Sequence, residues 1–209
     1  MYHTLMIDLD NTIYPESSGL MQAISARISL FMQEIMGLSP EEIRELRVQF
    51  KQNYGTTLQG LYDQYKIDKD QYLAFVHDID ISHYLSPDKQ LAEVLKTYPQ
   101  KKVIFSNADR NHIMKVLDFL RISSLFDMII DVHTVSPFVK PQPESFEKSL
   151  DLLGLPDWSG CVFIDDYLPN IQGAVSQSLF CVHVNETLET DYPFKISRLT
   201  ELPGIIPAC

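Results

Sequence analysis

Three short apolar runs in this chain end in side chains able to do chemistry. Thr4-Leu5-Met6-Ile7 runs into Asp8-Leu9-Asp10-Asn11-Thr12, Lys102-Val103-Ile104-Phe105 into Ser106-Asn107, and Cys161-Val162-Phe163-Ile164 into Asp165-Asp166. A carboxylate is anionic at neutral pH without activation, so one of Asp8 and Asp10 can attack an electrophile while the other moves protons. Oxygen donors without a His or Cys cluster suit a hard cation, and magnesium bridged to a substrate phosphate is the usual occupant of such a site. A calcium loop of the EF-hand kind starting at Asp8 fails, because its sixth and twelfth places hold Ile13 and Gly19 instead of Gly and Glu. Ser106 does not sit in a Gly-x-Ser-x-Gly elbow, which argues against a serine hydrolase. The histidines, His77 and His83 among them, lack a paired ligand spacing, which argues against zinc.

The elements that position these residues follow from periodicity. Short apolar runs bounded by polar residues read as buried strands: the three above, then Met128-Ile129-Ile130, with Phe180–Val184 as the last strand. Between them come helical patterns: one around Leu91, Val94 and Leu95, one over His112–Leu120, one after Pro143 and one around Asn170 and Ile171. From about Ser17 to Tyr84 the pattern is helical only: Leu20, Ile24, Ile28, Phe31 and Ile35 recur at three and four, and Ser39-Pro40-Glu41-Glu42 reads as an N-cap with Pro at the first helical position. Strands alternating with helices predict an α/β fold, a Rossmann-like three-layer core with a mostly parallel sheet. The core is expected over 1–15 and 88–209, and an all-helical cap, inserted after the first strand, over 16–87.

Ligands of open parallel sheets sit beyond the carboxyl ends of the strands, so Asp8, Asp10, Ser106, Asn107, Asp165 and Asp166 should converge. Each like-charged pair of carboxylates about 4 Å apart costs about 4 kcal/mol at an effective dielectric near 20. A bound cation resolves that conflict.

Composition narrows the partners. Asp and Glu total 28 against 17 Lys and Arg, for a formal charge of −11, and no basic run interrupts the chain. Such a surface repels nucleic-acid polymers and anionic membranes at long range. No apolar run approaches the roughly 20 residues of a membrane helix. Cys161, Cys181 and Cys209 form no CxxC pair and no signal peptide opens the chain, so the expectation is a reduced, cytoplasmic protein, monomer or homodimer, acting on a small molecule. The tail Leu202–Cys209 carries no functional pattern.

Taken in order, Asp8-Leu9-Asp10-Asn11-Thr12, Ser106-Asn107, Lys140-Pro141 and Asp165-Asp166 resemble the four motifs of the haloacid dehalogenase superfamily, across nearly the whole chain. Within it, Asp8-Leu9-Asp10-Asn11-Thr12-Ile13-Tyr14-Pro15 and Tyr54-Gly55-Thr56-Thr57-Leu58-x-Gly60-Leu61 are similar to the pyrimidine 5'-nucleotidase-like branch. The resemblance implies a magnesium-dependent phosphomonoester hydrolase with Asp8 as the nucleophile that becomes an aspartyl phosphate. It implies Asp10 as general acid/base, Ser106 and the Asn107 backbone as donors to the phosphoryl oxygens, and Lys140 as their counter-charge. The metal would lie among Asp8, the Asp10 carbonyl, Asp166 and Asp165, the order of the last two open. Pro141 keeps Lys140 out of a helix. Asn11 and the cap residues Tyr54, Thr56 and Thr57, with Tyr62 and Tyr65 behind them, are candidate substrate contacts. UMP and CMP lead as substrates; sugar phosphates, phosphoglycolate and pyridoxal phosphate follow. A 2-haloacid dehalogenase uses the first Asp but needs no proton donor at position 10, a phosphomutase keeps both, and a non-catalytic binding module would lack part of the set.

Overall fold

The structure is a computed structural model and describes residues 2–207, so that Cys209 lies outside it. The chain forms two compact units, one running to Ser18 and resuming at Tyr84, the other spanning Gly19–His83.

The larger unit is α/β. Its strands are β1 (Thr4–Ile7), β2 (Lys101–Phe105), β3 (Met128–Ile130), β4 (Cys161–Asp165), β5 (Phe180–Val184) and β6 (Lys195–Ile196). They form one sheet in the order β3-β2-β1-β4-β5-β6, every pair parallel. Phe180–Val184 is therefore not the last strand. A two-residue strand has too few side chains for a period to register, and β6 is defined by its pairing of His183 with Lys195 and Val184 with Ile196. The chain builds outward from β1 through β2 to β3, then returns to the other side of β1 with β4. That reversal makes the β1/β4 boundary a topological switch point.

Register brings the reactive ends level. Ile7 pairs with Ile104 on one side and Ile164 on the other, so the next residues, Asp8, Phe105 and Asp165, lie side by side at the carboxyl edge. The Phe105 ring there meets those of Phe146 and Phe163, with the three centroids 5.5 to 6.0 Å apart. Leu202 and Ile206 of the tail are buried, and the Tyr98 hydroxyl donates to the Ile206 carbonyl at 2.6 Å. Cys161 and Cys181 are buried free thiols. No helix among the described residues is long and apolar enough to cross a membrane.

The smaller unit comprises α1 (Leu20–Glu34), α2 (Pro40–Tyr54), α3 (Thr57–Tyr65) and α4 (Lys69–Val76). Ser39 and Glu42 form a reciprocal capping box at the start of α2, and Thr56 and Asp68 cap α3 and α4 by accepting from Gln59 and Gln71 amides. Phe31 packs edge-on against Tyr72 and Phe75, at 5.0 and 5.5 Å, tying α1 to α4. Arg47 ties α2 to α1 through Ser25 and Ser29. Gly60 lets α3 approach α2, since a methyl there would lie 2.2 Å from the Phe50 ring. Gly60→Ala is therefore expected to destabilise by about 1–3 kcal/mol, read as a lower melting temperature; an unchanged or higher melting point would show that Phe50 yields without strain.

Candidate active site

The site is assembled in the α/β unit. Asp8 leaves β1 with its amide donating to the Ile164 carbonyl of β4 at 2.9 Å, which fixes its height beside Asp165. Lys140 comes from the turn before α7 (Pro143–Leu153) and is 1 % exposed. Its three ammonium protons meet three acceptors: Asp8 Oδ1 at 2.8 Å, Asp165 Oδ2 at 2.7 Å and the Phe105 carbonyl at 2.6 Å. Burial alone would lower the lysine's pKa, but Asp165 and Asp8 outweigh it and hold the ammonium above its ordinary range.

The Lys140 turn is positioned from β2. The Asn107 side chain pairs with both backbone groups of Lys140, accepting from its amide and donating to its carbonyl, each at 2.9 Å. That engages the Asn107 amide group within the protein and leaves a substrate role to its backbone. Ser106 is buried, and its Oγ accepts from the Ala108 amide at 3.1 Å, closing the turn that leads to Asp109, the cap of α6 (Arg110–Phe119).

Asp165 and Asp166 occupy different environments. Asp165 is fully buried and accepts from Lys140, from the Tyr167 amide at 2.8 Å and from Asn170 Nδ2 at 3.1 Å, so it also holds the turn that leads into α8 (Leu168–Ser176). Asp166 is half-buried, and among the described residues its carboxylate receives long contacts, from Asn11 at 3.4 Å and Thr12 at 3.5 Å. Its backbone carbonyl accepts from His183 Nε2 at 2.8 Å, which fixes the tautomer, because a carbonyl cannot donate. One carboxylate oxygen from each of Asp8, Asp165 and Asp166 lies within 4.8 Å of the others.

Electrostatics of this cluster favour a cation. Burial, against the pull of Lys140 and with the push of Asp165 and Asp10, moves Asp8 up to about 7. Burial, then Asp165 and Asp8, raises Asp166 well above the carboxylate range. Asn11, held at φ 60, keeps Oδ1 buried with no hydrogen-bond partner while its Nδ2 faces Asp166. Crowded oxygen donors carrying surplus negative charge, with an unsatisfied carbonyl beside them, fit a hard divalent ion.

Asp10 is held by residues the sequence reading passed over. Tyr14 OH donates to Asp10 Oδ1 at 2.5 Å, and His112 Nε2 lies 2.9 Å from the same oxygen. Burial and the nearby Asp10 keep the Tyr14 hydroxyl protonated far above its ordinary range. The signals were faint: Tyr14 stands one helical turn beyond Asp10, and His112 opens a helix after a reactive strand end.

Tyr54, Thr56 and Thr57 belong to the other unit. There Thr56 caps α3, Thr57 is buried, and the Tyr54 hydroxyl accepts from Gln64 Nε2 at 2.6 Å.

The chain belongs to the haloacid dehalogenase-like hydrolase family, whose model matches residues 2–176. Among curated proteins it is 31% identical over 206 residues to Phosphate metabolism protein 8 of Saccharomyces cerevisiae, covering 92% of this chain and 63% of that protein's length. Among solved structures it resembles the magnesium-bound HAD-hydrolase YfnB of Bacillus subtilis, at 18% identity and a TM-score of 0.65, covering 98% of each chain. It also resembles a HAD phosphatase of Thermococcus onnurineus at 22% identity and a TM-score of 0.63, covering 100% of this chain and 99% of that one. At these identities the structures establish the fold.

Proposed function

We propose that the protein is a magnesium-dependent phosphatase of small phosphomonoesters, working through an aspartyl phosphate on Asp8, with nucleoside 5'-monophosphates such as UMP and CMP as preferred substrates. The observation that carries this reading is the cluster itself: Asp8, Asp165 and Asp166 within 4.8 Å, with Lys140 bonded to the first two.

An in-line attack needs an anionic nucleophile whose free oxygen faces phosphorus. Lys140 engages Asp8 Oδ1, so Oδ2 is the oxygen that forms the bond to phosphorus as the bond to the alcohol oxygen breaks. Asp10 gives its proton to the departing alkoxide and later takes one from the water that hydrolyses the acyl phosphate. The Ser106 hydroxyl and the Asn107 amide donate to the phosphoryl oxygens, and the Lys140 ammonium offsets their charge. A magnesium ion would be held by Asp8, Asp166 and the Asp10 carbonyl, with Asp165 behind them, and it would supply positive charge beside the phosphoryl oxygens. Asp166 is the better direct ligand of the acidic pair, because the Asp165 oxygens already accept from Lys140, Tyr167 and Asn170. Choice of the alcohol falls in this reading to the helical unit, through Tyr54, Thr56 and Thr57, and to Asn11.

The test is phosphate release from UMP, CMP, a sugar phosphate, phosphoglycolate and pyridoxal phosphate, with magnesium and with EDTA. We expect metal-dependent release, fastest from UMP or CMP. A faster sugar phosphate would keep the chemistry and remove the nucleotide preference; release that EDTA leaves untouched would remove the metal. No release from any ester would overturn the phosphatase reading.

A further inference from the structure

Asp10 leaves β1 in a loop, two residues beyond Asp8, and nothing intrinsic orients its carboxyl group: the terminal torsion of an aspartate is broad and roughly two-fold. A residue that must hand a proton to one oxygen atom needs that torsion set. Two buried donors from separate parts of the chain do so here. The amides of Thr12 and Ile13 both bond the Leu9 carbonyl, at 3.3 and 2.9 Å, curling the loop into a helical turn that lays Tyr14 over Asp10. His112 arrives from the first turn of α6, whose start is fixed by Asp109. Tyr14 is 3 % and His112 2 % exposed, and both reach Oδ1.

We propose that Tyr14 and His112 are positioning residues for the proton transfer by Asp10, clamping Oδ1 so that the second oxygen of the carboxyl is presented to the ester oxygen. This rests on the phosphatase reading above. A buried tyrosine and histidine each need one acceptor, and independent solutions would scatter over the many carbonyls nearby. Their convergence on one oxygen of one carboxyl, at the acid/base position, is what a clamp requires. The step they serve is balanced: the Asp10 proton passes to the alcohol oxygen as its bond to phosphorus breaks and the bond from Asp8 forms, leaving Asp10 as a carboxylate for the incoming water.

The consequence is a leaving-group dependence. An alkyl ester such as UMP departs as a poor leaving group that needs the proton, whereas p-nitrophenol departs as the anion. We therefore compare kcat/KM, which reports through phosphoryl transfer and loss of the alcohol, for UMP and p-nitrophenyl phosphate in wild type, Tyr14→Phe, His112→Ala and His112→Gln. Tyr14→Phe and His112→Ala are expected to lose about 10- to 100-fold on UMP and at least about tenfold less on the aryl ester, within the range of general acid catalysis. His112→Gln, which keeps a donor at similar reach, should recover most of the UMP activity. Activity is read per folded protein, and Tyr14→Phe, which removes one oxygen, carries the test if the alanine variant does not fold. Equal losses on both esters, or no loss, overturn the positioning role while the phosphatase reading stands. A wild type inactive on both esters overturns both.

Discussion

Asp8→Asn is expected to lower phosphate release by about 10,000-fold or more, in the range seen when a covalent nucleophile is removed. The amide keeps the size of the side chain, so secondary structure should survive and the loss should fall on kcat. A residual rate within tenfold of wild type would exclude Asp8 as the nucleophile. The same substitution reads out the electrostatics of the site. In the metal-free protein the Asp8 carboxyl is pushed from 3.8 up to about 7, burial being the largest cause. Folding thus favours its protonated form. The stabilisation is complete below the unfolded value and is lost as pH rises through about 7. The metal-free wild type should lose melting temperature from about pH 4 to about pH 7, the interval between the unfolded and folded values, and the Asp8→Asn variant should lose less. Magnesium binds the ionised carboxylates, so its stabilising effect should grow over the same window. A metal effect that shrinks as pH rises would contradict this account.

Lys140→Met is expected to cost on the order of 1,000-fold in kcat and about 3–5 kcal/mol of stability, the largest combined effect of any single change in the site. The reason is the ledger of charges beneath the surface. Lys140 is the cation bonded to two buried carboxylates, and removing it leaves Asp8 and Asp165 facing each other in a poorly solvated edge of the sheet. Lys140→Arg should not restore activity. A compact ammonium matches three acceptors converging from Asp8, Asp165 and the Phe105 carbonyl, whereas a planar guanidinium presents its donors in a fork and needs more room than the Phe105 and Phe163 rings, 5.1 and 5.3 Å away, allow. The comparison is made by steady-state kinetics and thermal melting. A methionine variant as stable as wild type, or an arginine variant as active, would show that the cradle is looser than its distances imply.

Much of the fold could be read from the chain because its strands are buried on both faces. Leu5-Met6-Ile7, Val103-Ile104-Phe105 and Cys161-Val162-Phe163-Ile164 stand out as apolar runs, and each stops where a polar residue begins. Strand β6 escaped because its two residues carry no pattern. The carboxylates were visible for the same reason as the strands, since a charge directly after an apolar run is conspicuous. Their supports were not. Tyr14 and His112 are ninety-eight positions apart and meet only on Asp10, and Asn107 reads in sequence as a substrate contact although its amide group is spent on the backbone of Lys140. Hydrophobic period records which face is buried; it does not record which buried polar group another one finds. The unlike surroundings of Asp165 and Asp166 belong to the same class, since two adjacent identical residues differ here only through Lys140, Tyr167 and Asn170 on one side and Asn11 and Thr12 on the other.

One glycine extends this dependence to the back of the site. In α8, Gly173 faces the Pro141 carbonyl so closely that a methyl group would sit 2.6 Å from it, with the Phe146 ring at 3.3 Å. Glycine in a helix interior normally invites replacement by alanine, a change that gains about 1 kcal/mol where the space allows. Here that route to a hardier protein is closed. Any side chain at 173 would push on the residue that follows Lys140, so a remote packing contact governs the aim of the ammonium. The freedom to stabilise this helix and the accuracy of the lysine compete for the same few tenths of an ångström.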